Sequence, residues 1–194
     1  MPRIPYARIE ESPQKIKDFF AKMEANSGRI GNLFLMVAHS QAAVREFIRY
    51  GDRLLFKASL DSRFRELAII RVSQICASHY EWAHHVPIAL RAGLTREQIE
   101  AAANWKDSEL FTDQEKVILA FTEEVMADSS PSEETFAAAA AFLDAVGLVE
   151  LTLSIGHWSM VAKFLNTFQV ELEEDFLKAN RDLLPENGPG LETS

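Results

Sequence analysis

The sequence predicts an all-α protein, a single helical bundle of about seven or eight helices. Three observations favour this fold class. The 194 residues include only eight glycines and seven prolines, below the usual combined share of about 12%. Helix-start signals recur along the chain. In addition, no stretch alternates apolar and polar residues in the way that a half-buried strand does.

In the first half of the chain, each predicted helix begins at a recognisable cap or apolar stretch. Serine and aspartate caps accept hydrogen bonds from the first backbone N–H groups of a helix, and proline is favoured at the first helical position. The predicted helices run from Ser12 and Pro13 to about Gly28, over residues 33–38, from Ser40 to about residue 57, and from Asp61 or Ser62 to about residue 75.

In the second half, four Ser/Thr-x-x-Glu/Gln capping boxes mark predicted helix starts, because each box supplies two reciprocal hydrogen bonds. Glycine is favoured just after a helix, so Gly93 and Gly147 are expected to follow helix ends. A mainly apolar stretch over residues 148–172 has the length of a buried helix. The four boxes are Ser78/Glu81, Thr95/Gln98, Thr112/Glu115 and Ser130/Glu133.

Length and charge limit the domain organisation and the partners. One domain is expected over residues 1–184, with its core over 31–170, followed by a flexible tail over 185–194. The net charge of −9 would repel a phosphate backbone, so no nucleic-acid partner is expected. The longest uncharged run of the second half, residues 151–162, is shorter than the ~20 residues of a membrane span, so no membrane partner is expected either.

The N-terminus and the cysteine content favour a cytoplasmic location. Residues 1–5 lack the apolar segment of a signal peptide. The one cysteine, Cys76, cannot form an intramolecular disulfide, as is usual in a reducing compartment. We expect Cys76 to be a small buried apolar side chain.

A candidate site is indicated by a cluster of histidines, since three of the five fall within residues 79–85. If a helix begins at Ser78, the +3/+4 spacing places Ser78, Glu81, Trp82 and His85 on one face. Such a face would form one wall of a pocket. The other two histidines of this cluster, His79 and His84, are expected at the surface or at an interface.

Glu66 lies on the preceding helix among apolar neighbours, where a buried carboxylate needs a partner. A histidine of the next helix would supply one.

The part of the sequence that contains Glu66 and the histidine cluster resembles the carboxymuconolactone decarboxylase family, which includes the alkylhydroperoxidase D-like proteins. The resemblance is strongest over residues 62–104 and continues more weakly over 31–60 and 148–170. It is carried by RFRELAIIRV at 63–72, YEWAHHV at 80–86 and AGLT at 92–95.

The peroxidase branch of that family has the pattern Glu-x11-Cys-x2-Cys-x3-His. In this chain the pattern becomes Glu66-x11-Ser78-x2-Glu81-x3-His85, with both cysteines missing, and Cys76 lies two residues before the first cysteine position. Disulfide cycling needs two thiols within reach of each other, so peroxidase activity is not expected. The decarboxylase branch resembles this chain at Glu81 and His85, which match its Glu-x3-His pattern.

The resemblance also implies an alkylhydroperoxidase D-type bundle that assembles as a homo-oligomer, a trimer or a hexamer, and acts on a small molecule without a cofactor. A metal site formed by Glu81, His85 and either His157 or Glu66 is an alternative. The family implies no metal, and the His-Glu-x-x-His pattern is missing from the sequence. We therefore expect no metal site.

The predicted catalytic residues are His85, Glu81 and Glu66. His85 would be a general acid or base, Glu81 would assist it or transfer the proton itself, and Glu66 would orient the imidazole. Each has a structural alternative. His85 could be a helix histidine that is hydrogen-bonded to a neighbouring carboxylate, and Glu81 could be the glutamate of a capping box. Glu66 could form an ion pair with an arginine. For Ser78 a helix cap is favoured over a nucleophile, and aromatic residues at such positions are more often core. An arginine, Arg63 or Arg71, could bind a carboxylate of the substrate. The residues expected to contact the substrate are Ser78, Tyr80, Trp82, His157, Trp158, Arg63 and Arg71.

The predicted function is acid–base decarboxylation, or a related lyase or isomerase step, on a small carboxylated or lactone metabolite such as those of aromatic-compound catabolism. Two alternatives remain open. One is a divergent antioxidant protein that uses Cys76 as a lone peroxidatic thiol. The other is a helical protein that binds a ligand without turning it over.

Overall fold

The chain folds into helices, as predicted. The computed structural model describes residues 1–184, apart from the side chains of Asn26 and Ser27, and this part of the chain contains no β-strand. Three of its ten α-helices have six residues each and seven are longer, which confirms the predicted all-α class. The predicted flexible tail, 185–194, lies outside the described residues. The helices are α1 (Gln14–Ser27), α2 (Asn32–Val37), α3 (Val44–Phe56), α4 (Ser62–Ile75), α5 (His79–Arg91), α6 (Arg96–Ala101), α7 (Asp113–Asp128), α8 (Glu133–Ala140), α9 (Ala145–Phe168) and α10 (Glu174–Ala179), with short 3-10 helices at Ile9–Glu11 and Ala102–Asp107.

Helix α4 is the centre of the bundle because it is apolar on most sides. Its Leu67, Ile69 and Ile70 are fully buried, and burial of each such side chain contributes about 1.5–3 kcal/mol. The helix packs against α5, α7 and α9. Glu66 is fully buried on the same helix, so the core of the bundle contains a carboxylate that needs polar partners.

A tight turn joins α4 to α5, the two helices that carry most of the candidate site. Ala77 has a φ of 48°, in the left-handed region that costs a non-glycine residue roughly 1–2 kcal/mol. Two hydrogen bonds hold the turn in place. The Ser78 backbone N–H donates to the Ser73 carbonyl at 2.9 Å, and Asn166 Nδ2 of α9 donates to the Cys76 carbonyl at 2.6 Å. The turn therefore fixes α5 beside α4.

Several helix ends are those that the sequence predicts. The Asp61 side chain caps α4 by accepting the N–H of Arg63 at 2.8 Å. The capping boxes that begin at Thr95 and Thr112 both form their two reciprocal bonds. Gly93 follows the end of α5 with a φ of 94°, a conformation that favours glycine.

Two predicted helix starts are wrong by a few residues. Helix α3 begins at Val44 and not at Ser40, because residues 41–43 form turns before the helix. Helix α8 is capped by Ser132, whose Oγ accepts the N–H of Thr135 at 3.2 Å. The predicted cap Ser130 lies two residues earlier, outside the helix.

Gly147 is not the helix-ending glycine that its position suggested. Helix α8 stops at Ala140, and Gly147 lies in the first turn of α9. Its backbone N–H donates to Asp144 Oδ1 at 2.8 Å, so Asp144 caps α9. The helix covers 145–168, which overlaps most of the predicted 148–172.

Helix α9 is also the one helix within residues 1–184 whose length and composition would suffice to cross a membrane. Half of its apolar segment is buried inside the bundle. A core helix of a bundle has the same properties, so this feature alone is weak evidence for a membrane. The helix extends beyond the uncharged run at 151–162 and includes Glu150, which accepts the backbone N–H groups of Ser59 and Leu60, both at 2.7 Å.

Candidate active site

Three helices bring a chain of polar side chains into the core around His85. Glu66 of α4 lies with its Oε2 2.8 Å from His85 Nδ1 of α5, and Arg65 Nε donates to Glu66 Oε1 at 3.2 Å. On the other side of the imidazole, Glu81 Oε1 is 3.3 Å from Nε2. The Trp158 Nε1–H of α9 donates to the same Nε2 at 2.8 Å. The structure therefore brings the three predicted catalytic residues together.

These side chains are nearly inaccessible to water, which strengthens the electrostatic interactions among them. Glu66 is fully buried, Glu81 is 4% exposed and His85 is 5% exposed. Burial by itself would lower the pKa of His85. The carboxylates of Glu66 and Glu81 outweigh burial and raise that pKa to about 9. At neutral pH, this group of side chains therefore retains a proton that an isolated histidine would mostly have lost.

The buried Glu66–His85–Glu81 array borders a cavity of about 380 Å³. This volume is within the size range of small-molecule sites. Glu81 and His85 line one side, and mainly apolar side chains form the remaining walls. Among the described residues of the lining, Arg29 is the one arginine or lysine. The other lining residues are Gly31, Leu33, Phe34, Phe47, Ile48, Gly51, Asp52, Leu55, Tyr80, His84, Ile88, His157, Trp158 and Val161.

Three of the predicted substrate contacts, Tyr80, His157 and Trp158, line this cavity. Burial, with a smaller contribution from His85, lowers the pKa of His157 to about 4, so His157 is neutral at pH 7. Its ring lies 5.0 Å from that of Tyr50. A Cβ at Gly51 would lie 3.0 Å from His157 Nε2, so the glycine leaves room for the His157 imidazole against α3.

Two other predicted contacts, Arg63 and Arg71, are not brought to the cavity because carboxylates elsewhere hold them. Arg63 pairs with Glu115 at 2.6 Å, and Arg71 donates twice to Glu123 Oε1, at 2.6 and 2.9 Å. These pairs tie α4 to α7. Neither arginine forms the suggested alternative ion pair with Glu66, whose arginine partner is its neighbour Arg65.

Ser78 and Trp82 also lie outside the cavity lining. Trp82 packs in the apolar core between α4 and α5. Ser78 is the N-terminal cap residue of α5 but makes no side-chain capping bond. Its buried Oγ has no hydrogen-bond partner within the described residues. The predicted capping box at Ser78 is wrong because Glu81 is turned toward His85 instead.

Comparison with known proteins relates part of the chain to a family. Residues 41–124, which contain Glu66, Glu81 and His85, match the model of the carboxymuconolactone decarboxylase family. The match covers somewhat less than half of the 194 residues. An uncharacterized Escherichia coli protein, YnjA, is 27% identical over 145 residues, 74% of each chain.

Solved structures share the fold of this chain. An uncharacterized peroxidase-related protein from Ralstonia eutropha with an alkylhydroperoxidase core superposes with a TM-score of 0.77 at 20% identity, covering 90% of this chain and 94% of that one. A variant of the debrominase Bmp8 in complex with 2,3,4-tribromopyrrole gives a TM-score of 0.74 at 16% identity, covering 93% and 97%. The bundle is therefore of the alkylhydroperoxidase D-like type.

Within this fold, the lone cysteine lies in a poor environment for thiol chemistry. Cys76 is only partly exposed, and burial raises the pKa of its thiol. A peroxidatic cysteine needs the opposite, a lowered pKa that favours the thiolate. Cys76 also lies outside the cavity lining. In the described part of the chain, no three His, Cys, Asp or Glu side chains are grouped to hold a metal ion.

Sequence reasoning missed a second polar cluster, at the edge of the cavity. Glu173 accepts the Tyr80 hydroxyl at 2.6 Å and the Asn32 backbone N–H at 2.6 Å, and its Oε2 lies 2.9 Å from His84 Nε2. Burial would raise the pKa of Glu173, but these hydrogen bonds outweigh it and lower that pKa to about 2. His84 was expected at the surface or an interface, yet it lines the cavity and stacks on Phe176.

Proposed function

We propose that this protein is a non-redox, acid–base enzyme of the decarboxylase type, a carbon–carbon lyase or a related lyase or isomerase. Its substrate would be a small carboxylated or lactone ring compound. The observation that supports the proposal most directly is the buried Glu66–His85–Glu81 array at one side of a largely apolar cavity. The similarity of residues 41–124 to the decarboxylase family supports the same chemistry. Ser78 and Glu81 replace the two cysteines of the peroxidase pattern, so disulfide cycling is not expected.

In a decarboxylation at this site, the bond between a substrate carbon and its carboxylate breaks and carbon dioxide leaves. The electron pair of that bond passes into a conjugated carbonyl of the substrate. A proton from the Glu81–His85 pair then forms the new C–H bond on the same carbon, and the pair regains a proton from solvent. Glu66 contacts the imidazole and Arg65 but does not line the cavity, so we assign it an orienting role.

The cavity lining suggests how such a substrate would be held. Leu33, Phe34 and Ile88 offer apolar contacts for a ring. Arg29 is positioned to interact with a carboxylate, the role that the sequence assigned to Arg63 or Arg71. Its Nη1 lies 3.9 Å from Glu173 Oε2, so the carboxylate of a substrate would share this guanidinium with the protein.

A direct test is an assay with carboxymuconolactone that follows its ultraviolet absorbance and the released carbon dioxide. A positioned proton donor contributes about 10²–10⁴-fold to a rate, so His85→Ala should lose activity by that factor. His79→Ala is the matched control, because His79 lies outside the cavity lining and its removal should leave the rate unchanged.

Equal rates for wild type and His85→Ala would refute the proton-transfer assignment. If the wild type does not turn over this compound, the same two variants can be compared on other small lactones and keto acids. Recovery of unchanged ligand after long incubation with every bound compound would instead favour the non-catalytic ligand-binding alternative.

A further inference from the structure

The Glu173 carboxylate determines which nitrogen of His84 carries a hydrogen. Glu173 Oε2 lies 2.9 Å from His84 Nε2. Despite burial, hydrogen bonds from His84, Tyr80 and Asn32 lower the pKa of Glu173 to about 2, so this carboxylate is ionised at neutral pH. An ionised carboxylate accepts hydrogen bonds and cannot donate them. His84 Nε2 therefore carries the hydrogen and donates it to Glu173.

The second ring nitrogen of His84 remains available to a ligand. Nδ1 has no hydrogen-bond partner among the residues that the structure describes, and His84 lines the cavity. Its ring lies between those of Tyr80 and Phe176, with centroids 4.5 and 4.0 Å away, so stacking on both sides fixes its plane. Arg29 Nη1 comes no closer than 3.9 Å to Glu173 Oε2, which leaves the His84 bond the shorter one. When the ring is neutral, Nδ1 presents a lone pair to the cavity.

This lone pair shares the cavity with a proton donor. Glu81 and His85 line the same cavity, and the carboxylates beside His85 outweigh its burial and raise its pKa to about 9. His84 and His85 are consecutive, so their side chains leave α5 about 100° apart around the helix axis. A base and an acid at different positions of one cavity can act on a single substrate. We propose that His84, positioned by Glu173, is a catalytic base that lets this protein isomerise small unsaturated lactones.

The proposed isomerisation rests on the proposed function, because it uses the same acid and the same class of substrate. His84 Nδ1 takes a proton from the carbon beside the lactone carbonyl, and the electron pair of that C–H bond passes into the carbonyl. The Glu81–His85 pair then gives its proton to the far end of the conjugated system, where a new C–H bond forms. His84 releases its proton to solvent and the pair regains one. The double bond moves, and nothing is oxidised or reduced.

The tautomer of His84 can be measured on the full chain without a substrate. In nitrogen-15 NMR at alkaline pH, with His84 assigned through His84→Gln, we expect a neutral ring with its hydrogen on Nε2. Glu173→Leu removes the acceptor and should let the Nδ1–H form appear as well. The matched variant Tyr80→Phe removes another bond to the same carboxylate and should keep the Nε2–H form. A hydrogen on Nδ1 in the wild type, or an unchanged tautomer in folded Glu173→Leu, would overturn the proposal.

The isomerase activity can be tested with α-angelica lactone, whose ring has an acidic C–H beside the carbonyl. In heavy water, proton NMR should show that the wild type accelerates deuterium exchange at this carbon and conversion to the conjugated isomer. His84→Gln should slow both by about 10²–10⁴-fold. The control His79→Ala should change neither rate, because His79 lies outside the cavity lining. Exchange at the wild-type rate in His84→Gln, or exchange no faster with wild-type protein than in buffer, would overturn the proposal.

The His85→Ala assay with carboxymuconolactone separates this inference from the proposed function. If His84→Gln keeps the exchange while His85→Ala loses decarboxylation, the base assignment fails and the proposed function stands. If His85→Ala keeps decarboxylation, the proposed function fails whatever the result for His84.

Discussion

At the scale of single residues, the site combines a histidine with two carboxylates in an environment that would otherwise exclude charge. A buried ionisable group with an altered pKa makes stability depend on pH. Burial opposes the charged imidazole, and Glu66 and Glu81 more than compensate, so the folded protein binds the proton more tightly than the unfolded chain. The stabilisation is complete below about pH 6.5, the ordinary pKa, and is lost as the pH rises through about 9.

We therefore expect the free energy of unfolding to fall between pH 6.5 and 9. The fall should be about 1.4 kcal/mol for each unit by which the pKa of His85 in the folded protein exceeds its ordinary value. Urea unfolding at a series of pH values measures this slope. His85→Gln should remove most of it, while His79→Gln should retain it, because burial lowers the pKa of His79 and moves its titration below this range. A wild-type stability that stays level from pH 6.5 to 9 would contradict the expectation.

At the scale of helices, the N-terminal caps show which helix starts can be predicted from neighbouring residues alone. Asp61, Thr95 and Thr112 bond to backbone groups two or three residues away, so the sequence alone identifies them. The capping-box pattern selected Ser130, three residues before Glu133, but the cap of α8 is Ser132, which accepts the backbone N–H of Thr135. Ser78 fits the capping-box pattern, but the Glu81 carboxylate contacts the imidazole of His85 instead of the start of the helix.

The difference between Ser78 and Thr112 can be measured. Thr112→Ala removes a side-chain capping bond and should destabilise the protein by about 0.5–2 kcal/mol. Ser78→Ala removes a buried hydroxyl without a described partner, so it should be neutral or stabilising, since burying an unsatisfied hydroxyl is unfavourable. Chemical denaturation of the two variants is the measurement. An equal loss of stability in both would mean that the Ser78 hydroxyl does bond in solution.

The parts of the site that sequence could not predict are contacts between distant elements. Trp158 and His85 are 73 positions apart, and Glu173 and Tyr80 are 93 apart. Only packing of α9 and the C-terminal segment on α5 creates these bonds. The catalytic frame of Glu66, Glu81 and His85 was predictable because it lies within twenty residues on two consecutive helices.

At the scale of the whole molecule, α9 has an exposed face that carries apolar side chains. Val146, Val149, Leu153 and Met160 are 50%, 57%, 42% and 44% exposed, and their spacing of three, four and seven puts them on one side of the helix. The opposite side, with Leu151, Ile155 and Ala162, is already buried in the bundle. We propose that a second copy of the chain covers this face, as the family resemblance implies.

Leu153→Lys should then weaken self-association, because it places a charge in the centre of the contact. Sedimentation velocity at several protein concentrations would show the wild type as a trimer or hexamer and this variant shifted toward monomer. Leu110→Lys is the control, since Leu110 is 49% exposed in the segment before α7. A wild type that sediments as a monomer at all concentrations would exclude the proposal.

The segment that matches the family, 41–124, has a further consequence for how such proteins diverge. It contains the proton-transferring groups, whereas Arg29, Leu33, His157 and Trp158 of the cavity wall lie outside it. Part of the wall that would contact a ligand is therefore encoded outside the stretch that carries the chemistry, while other wall residues, such as Phe47, Ile48 and Ile88, lie within it. Mutations in the flanking stretches can retune what is bound without disturbing Glu66, so relatives that share the frame are free to differ in their substrates.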